Sequence, residues 1–416
     1  MNRNIIVSFV CIALFISNIS FAKDAQQLKV CSDCKTHTIK GAVKIAKDHD
    51  TLLLKKGIYK EHNILINKPL TIIGEEGVVI DGQKKGYIFK INSDSVALHQ
   101  LTLLNVGQSY TKDFAAIYVS RSSNFKLTNL RLKEVFFGIL IEKSKYGIIR
   151  NNHISSHAIE EAGSGNGIHL WHSSNMLIEN NKVHNLRDGI YFEFVTNSMV
   201  RNNLSYDNLR YGLHFMFSNK NEYHKNIFIN NGSGVAVMFS KFIKMTHNKF
   251  TKNWGAASYG LLLKEIYDAE IENNTFEENT TGIKIEGSTR INYRNNNFIR
   301  NGWALKIAGA CYSNKFNQNN FLHNSFDLSY NSKLNDNNFT NNYWSEYTGY
   351  DLDKNGIGDV PYRPVKLFSY IVNKTPETIV LLRSLFVDII NFSEKVSPAF
   401  TPDNLLDNQP LMKRIQ

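Results

Sequence analysis

The chain has 416 residues, 42% hydrophobic and 20% charged, which excludes a disordered protein and leaves room for two or three domains. Seven prolines and 25 glycines exclude a collagen-like or linker-like chain, and no stretch beyond the leader holds 18 uncharged apolar residues, which excludes a polytopic membrane protein. The formal charge of +11 is scattered and not gathered into a patch with interleaved aromatics, so no nucleic-acid partner is expected.

Residues 1–22 have the layout of a secretory signal peptide: Arg3, the apolar run Ile5 to Ile16, then Ser20-Phe21-Ala22 before a cut at Lys23. Cys11 is lost with it, leaving Cys31, Cys34 and Cys311 in an oxidising compartment. Cys31 and Cys34, with His37 nearby, read as a local disulfide or as a second metal or redox site. Lys35 after the second cysteine excludes haem attachment. Residues 23–49 form an extension and cap, with a short helix over 38–47 that carries Ile39, Val43 and Ala46 on one face.

From about 50 to 342 the chain repeats. Asn-x-apolar-x-x-Asn begins at Asn203, Asn226, Asn248, Asn274, Asn296 and Asn319, with weaker copies at Asn152, Asn181 and Asn337. Gly-aliphatic-x-apolar begins at Gly138, Gly167, Gly189, Gly212, Gly234, Gly260 and Gly282, and each glycine lies 14 residues before a motif asparagine. A period near 22 with short alternating segments predicts an all-β protein, a right-handed parallel β-helix whose asparagines form an inward ladder. The return distance varies only before the glycine strand, so the insertions 157–166 and 253–259 share one corner.

Counting each glycine as zero, positions +1 and +3 are uniformly apolar and face inward, which sends +2 and +4 outward. The middle coils then present His169, Trp171, Tyr191, Glu193, His214, Met216 and Met238 on one face. Thioether and imidazole ligands select soft Cu(I). Met216, Met238 and His214, helped by Glu193 or His169, are therefore candidate ligands for transiently bound Cu(I), with Trp171 and Tyr191 as partner-binding residues. A hydrophobic docking surface with an incidental histidine is the competing explanation.

Residues 343–416 form a C-terminal region. Asp351, Asp353, Asn355 and Asp359 resemble the start of a Ca2+ loop, but Tyr362 stands where a bidentate glutamate is expected, so an Asx-turn cluster competes. Thr375 to Lys395 reads as an amphipathic helix with Ile379, Leu382, Phe386, Ile389 and Ile390 along one side and Leu381, Leu385 and Ile389 toward a partner. Many β-helices cleave or epimerise acidic glycans, but the outward carboxylates Glu142, Glu193 and Glu286 are not adjacent, so a polysaccharide lyase, epimerase or binding protein is the lesser alternative.

Gly167-Ile-His-Leu-Trp171, Asp188-Gly-Ile-Tyr-Phe-Glu193, Gly234-Val-Ala-Val-Met-Phe239, Asn342-Tyr-Trp344, Gly349-Tyr-Asp-Leu-Asp353, Gly358-Asp-Val-Pro-Tyr-Arg-Pro-Val365 and Leu381-Leu-Arg-Ser384 resemble the NosD family over nearly the whole mature chain. The cluster of Cys31, Cys34 and His37 is not part of that pattern. The resemblance implies a periplasmic, non-enzymatic maturation factor for the copper–sulfide centre of nitrous-oxide reductase. It also implies partners: an ABC transporter permease and ATPase, a copper chaperone and apo nitrous-oxide reductase.

Overall fold

The computed structural model describes residues 26–331, 336–396 and 405–416; the signal peptide expected at residues 1–22 lies outside them. The chain winds as an all-parallel β-solenoid with three sheets of 14, 12 and 13 strands, in which each strand pairs with its equivalent one coil on. The first sheet begins at Gln27–Val30, ahead of residue 50, because that strand pairs with Thr51–Leu54 across the short helix α1 (Ile39–Ile45). Thr38 caps α1 through its hydroxyl, which accepts from the Gly41 amide, and Ile39, Ala42 and Val43 face the core.

Most strands of the first and third sheets are three residues long, and a single left-handed residue turns the chain between them. Asn151, Asn180, Asn202, Lys225, His247, Asn273 and Asn295 hold φ between 52° and 58° there. Asparagine tolerates that conformation better than most residues. The next residue in each coil is a ladder asparagine, so the recurrent Asn-Asn pairs carry two different tasks.

Nine buried asparagines stack from Asn152 through Asn181, Asn203, Asn226, Asn248, Asn274, Asn296 and Asn319 to Asn342. From Asn181 on, each side-chain oxygen accepts both the backbone and the side-chain N–H of the preceding rung; Asn274 Oδ1 takes them from Asn248 at 2.8 and 3.0 Å. A second ladder runs from Asn208 to Asn324. Asn337, expected to open a coil, instead receives the amides of Asn314, and Asn342 takes the main ladder position. Beside the ladder Phe228, Phe250, Phe276, Phe298, Phe321 and Trp344 stack at 4.0–5.4 Å.

The far end is closed by residues distant in sequence. Asp407 Oδ2 accepts from the Asn342 amide and side chain at 3.1 and 3.0 Å and from Trp344 Nε1 at 3.0 Å. The single helix expected over 375–395 is instead a 3-10 turn (Pro376–Leu381) and α3 (Leu385–Val396), and a helix that was not expected, α2 (Leu367–Lys374), precedes them. Pro376 pushes the residue before it out of the helical region, so α2 stops at Lys374. The face that packs on Trp303 and Phe326 comprises Phe368, Val372 and Val387, with Leu382 and Ile390 partly buried. Ile379 and Phe386, on the expected apolar stripe, are exposed, as is Ile389.

Two outcomes follow from this packing. Asn274→Ala strands the Asn248 N–H donors and the Met245 carbonyl in the core, and is expected to cost on the order of 3 kcal/mol in chemical denaturation. Asp327, buried near the C-terminal helices with Asn324 and Tyr362 as donors, has its pKa pushed up to about 6 by burial. A raised carboxyl favours the protonated folded state, so stability falls as pH rises from about 4 to about 6 and is level above that. The rise from 3.8 corresponds to about 3 kcal/mol. Asp327→Asn is expected to melt later than wild type at pH 7.5 but not at pH 4, by calorimetry.

Candidate functional site

Strand register builds the site. In the 12-stranded sheet Leu140, His169, Tyr191, His214, Ala236 and Leu262 are successive Cα partners, and so are Glu142, Trp171, Glu193, Met216, Met238 and Lys264. Alternation breaks at the glycine. A Cβ on Gly189 would lie 2.1 Å from Ser205 Oγ and one on Gly212 2.8 Å from Asn231 Nδ2, so zero and +1 both turn inward. Position −1 therefore joins the outer face, which adds Asn166, Asp188, Tyr211 and Tyr259, residues that strict period-2 counting misses.

The outer face is less open than the sequence suggests. Leu140 packs with Ala115 and Phe137, and Ala236 and Leu262 pack with Tyr259, Tyr211 and Met238, under residues from the insertion corner. Between these clusters lies a polar centre. Asp188 is fully buried, and Arg210 grips it with Nε and Nη2 at 2.9 and 2.5 Å. Burial works to raise the Asp188 carboxyl, but the Arg210 guanidinium bonded to it holds it below the ordinary range. His214, expected exposed, is 7% exposed because the Tyr191 and Tyr211 rings cover it at 4.8 and 4.9 Å. Its Nδ1 is 3.8 Å from Asp188 Oδ2, too long for a hydrogen bond, and neither ring nitrogen has a partner.

His169 is also without a partner at Nε2, and burial pushes its pKa down to about 4, so it is neutral at pH 7. The Tyr191 ring separates it from His214, at 4.6 Å from one and 4.8 Å from the other. Two strand spacings, about 9.6 Å, are too far for one ion, so His169 leaves the ligand group that Met216, Met238 and His214 could form. Burial, with the Glu193 charge beside it, raises the Tyr191 hydroxyl to about 12. Glu193 pairs in register with Met216 and Met216 with Met238, and all three side chains are half-buried.

A further feature was not singled out from the sequence. At position +5, His172, Phe194, Phe217 and Phe239 stack at 4.5, 5.2 and 5.1 Å with planes within 14°. Phe194, Phe217 and Phe239 are 39, 40 and 36% exposed and sit at φ of 51–54°. Left-handed φ is costly for bulky residues, so this edge combines strain with apolar exposure. The same column holds Lys143 and Glu265 on either side, which shows that polar residues suit the turn.

The remaining expected residues lie elsewhere. Cys31 and Cys34 form a disulfide, and Cys311 is a buried thiol. Asp351 accepts the Asn355 and Gly356 amides, Asp353 the Asn355 side chain and Asp359 the Leu352 amide, an Asx-type cluster. Among the described residues no three His, Cys, Asp or Glu converge as a metal group. Leu381, Leu385 and Ile389 are exposed with Val380, Phe386 and Phe392 on the C-terminal helical face. Glu142 accepts from Tyr118 and Glu286 pairs with Lys284, well apart along the stack.

A family model described as "Periplasmic copper-binding protein (NosD)" matches residues 157–349. A "Probable ABC transporter binding protein NosD" of Stutzerimonas stutzeri is 26% identical over 368 residues, 84% of each chain. One of the same description from Pseudomonas aeruginosa is 25% identical over 370 residues, 84% of this chain and 86% of the relative. The surface adhesin PfbA of Streptococcus pneumoniae superposes with a TM-score of 0.57 at 13% identity, covering 71% of this chain and 88% of the adhesin, a likeness of fold alone.

Proposed function

We propose that the chain is a member of the NosD family, as the match over residues 157–349 and its two relatives support, and that it is a periplasmic copper carrier of an ABC transporter assembly. Residues 1–22 export it. It accepts Cu(I) from a copper chaperone and passes it toward the copper–sulfide centre of apo nitrous-oxide reductase. The description of the family as copper-binding, and the naming of its relatives for an ABC transporter, support this reading.

The observation that carries it is the pairing of Met216 with Met238 on neighbouring strands, beside a buried His214 whose ring nitrogens have no partner. Buried polar atoms without partners are rare and want an explanation. A thioether pair with one imidazole is soft enough to choose Cu(I) and too sparse to hold it tightly. Transfer needs both properties. Trp171, Tyr191 and the strained phenylalanine edge lie along the same face, where a donor or acceptor protein would approach. Met216→Leu with Met238→Leu keeps volume and apolarity, and is expected to lower Cu(I) affinity at this face at least about tenfold in anaerobic chelator competition. Unchanged binding would move the cargo site away from these methionines.

Docking on the permease falls to the 3-10 turn and α3. Leu385 is 74% and Phe392 68% exposed, an apolar face that the solenoid end does not use. Removing everything after Lys374 would also remove Asp407 and unseal the ladder, so substitution is the cleaner test. Leu385→Gln with Ile389→Gln is expected to leave the melting temperature unchanged and to abolish copurification with the permease and ATPase. Retained copurification by the folded variant would assign docking to another surface.

A further inference from the structure

A second pair of imidazoles lies on the outer face of the 13-stranded sheet, away from the methionines. His153 and His184 come from strands His153–Ser155 and Lys182–His184, which pair so that His153 faces Lys182 and Ser155 faces His184. The two rings meet diagonally between coils, with Nε2 to Nε2 at 2.9 Å. Neither residue was singled out from the sequence, because their motif positions differ and only the coil register brings them together.

The surroundings define the state of each ring. His184 Nδ1 lies 2.9 Å from Asn185 Oδ1, an acceptor, so Nδ1 carries the proton and Nε2 presents a lone pair. The Tyr206 ring stacks on His184 at 4.5 Å and 15°, which holds its plane. A ligating imidazole oriented through its other nitrogen by an oxygen acceptor is the usual arrangement of metal-binding histidines. His153 is exposed and free to turn, and its Nε2–H donates to that lone pair.

We propose that His153 and His184 form a two-coordinate Cu(I) site, distinct from the Met216–Met238 face, that lies on the route copper takes across the solenoid. The ion replaces the shared proton. His153 carries its proton on Nδ1 instead, so both ligands stay neutral and no proton is released. Metal–imidazole bonds of about 2 Å need the nitrogens about 4 Å apart, so the rings part by about 1 Å, a movement the exposed His153 supplies.

Charge and ligand count choose the metal. Arg131 and Lys182 are the register neighbours of His153, and Lys133 lies on the strand of Arg131. These cations repel a divalent ion about twice as strongly as a monovalent one. No third His, Cys, Asp or Glu joins the pair among the described residues, whereas zinc takes four ligands. A linear pair of neutral nitrogens in a cationic setting therefore suits Cu(I) over Zn(II) or Cu(II).

The proposal rests on the copper reading but fails separately from it. Protein is titrated anaerobically with tetrakis(acetonitrile)copper(I) against bicinchoninate. Wild type is expected to hold two equivalents, H153Q/H184Q one, and M216L/M238L one. X-ray absorption of copper in M216L/M238L is expected to show two nitrogen neighbours and no sulfur. Asn185 has φ of 56°, so N185G keeps the turn while removing the acceptor, and is expected to weaken this site about tenfold. H153Q alone, at an exposed residue, replaces the double variant if that melts early. If H153Q/H184Q or its substitute holds as much copper as wild type, or M216L/M238L holds none, the imidazole site is overturned while the methionine site is judged on its own result. Equal affinity for Zn(II) would overturn the choice of metal.

Discussion

One constraint organises the molecule: a buried asparagine must accept two N–H groups from the coil before it and give its own to the coil after it. Eight rungs meet that demand from Asn181 to Asn342, Asn152 opens the ladder on the single Leu130 amide, and Asp407 closes it with a carboxylate where no further coil follows. Because each amide is both donor and acceptor, no rung can slip by a residue without stranding groups on both sides. The ladder fixes the register of all three sheets, and with it which outward side chains become neighbours.

That register is what makes function possible on surfaces with no convergent loop. Met216 meets Met238, and His153 meets His184, only because consecutive coils are locked about 4.8 Å apart. The same lock lets the solenoid hold Phe194, Phe217 and Phe239 at left-handed φ with their edges in water. A free loop with that strain and exposure would rearrange. Here the serines that follow at 218 and 240, buried and bonded to the carbonyls of Met216 and Met238, hold the turn closed.

The solenoid was legible in the sequence because its cause is local and repeated: apolar +1 and +3, an asparagine 14 residues after each glycine, insertions at one corner. The partners in each outward column were legible for the same reason. Exposure was not. His214 is buried by Tyr191 and Tyr211, and Tyr211 reaches the outer face only because the glycine and its successor both turn inward. The long C-terminal helix was misread because its apolar stripe runs on past residues 382–384, where the backbone breaks between the 3-10 turn and α3. Asp407 carried no sequence signal at all, since its partner is 65 residues away.

Geometry also limits how a transporter could act on the cargo. The strand of Met238 lies four coils from Phe326–Asn331, on which the C-terminal helices pack, a distance of about 19 Å at the strand spacing. In a solenoid each coil contacts only its neighbours, so a deformation would have to cross four ladder rungs, each resisting slippage. A force delivered at α3 therefore reaches the methionines as movement of the whole body and not as a change of its internal packing. The proposed copper face would be swung between donor and acceptor with its side-chain geometry intact. This fits the proposed site, whose affinity would be set by sparse, soft ligands and would need no conformational switch to let the metal go.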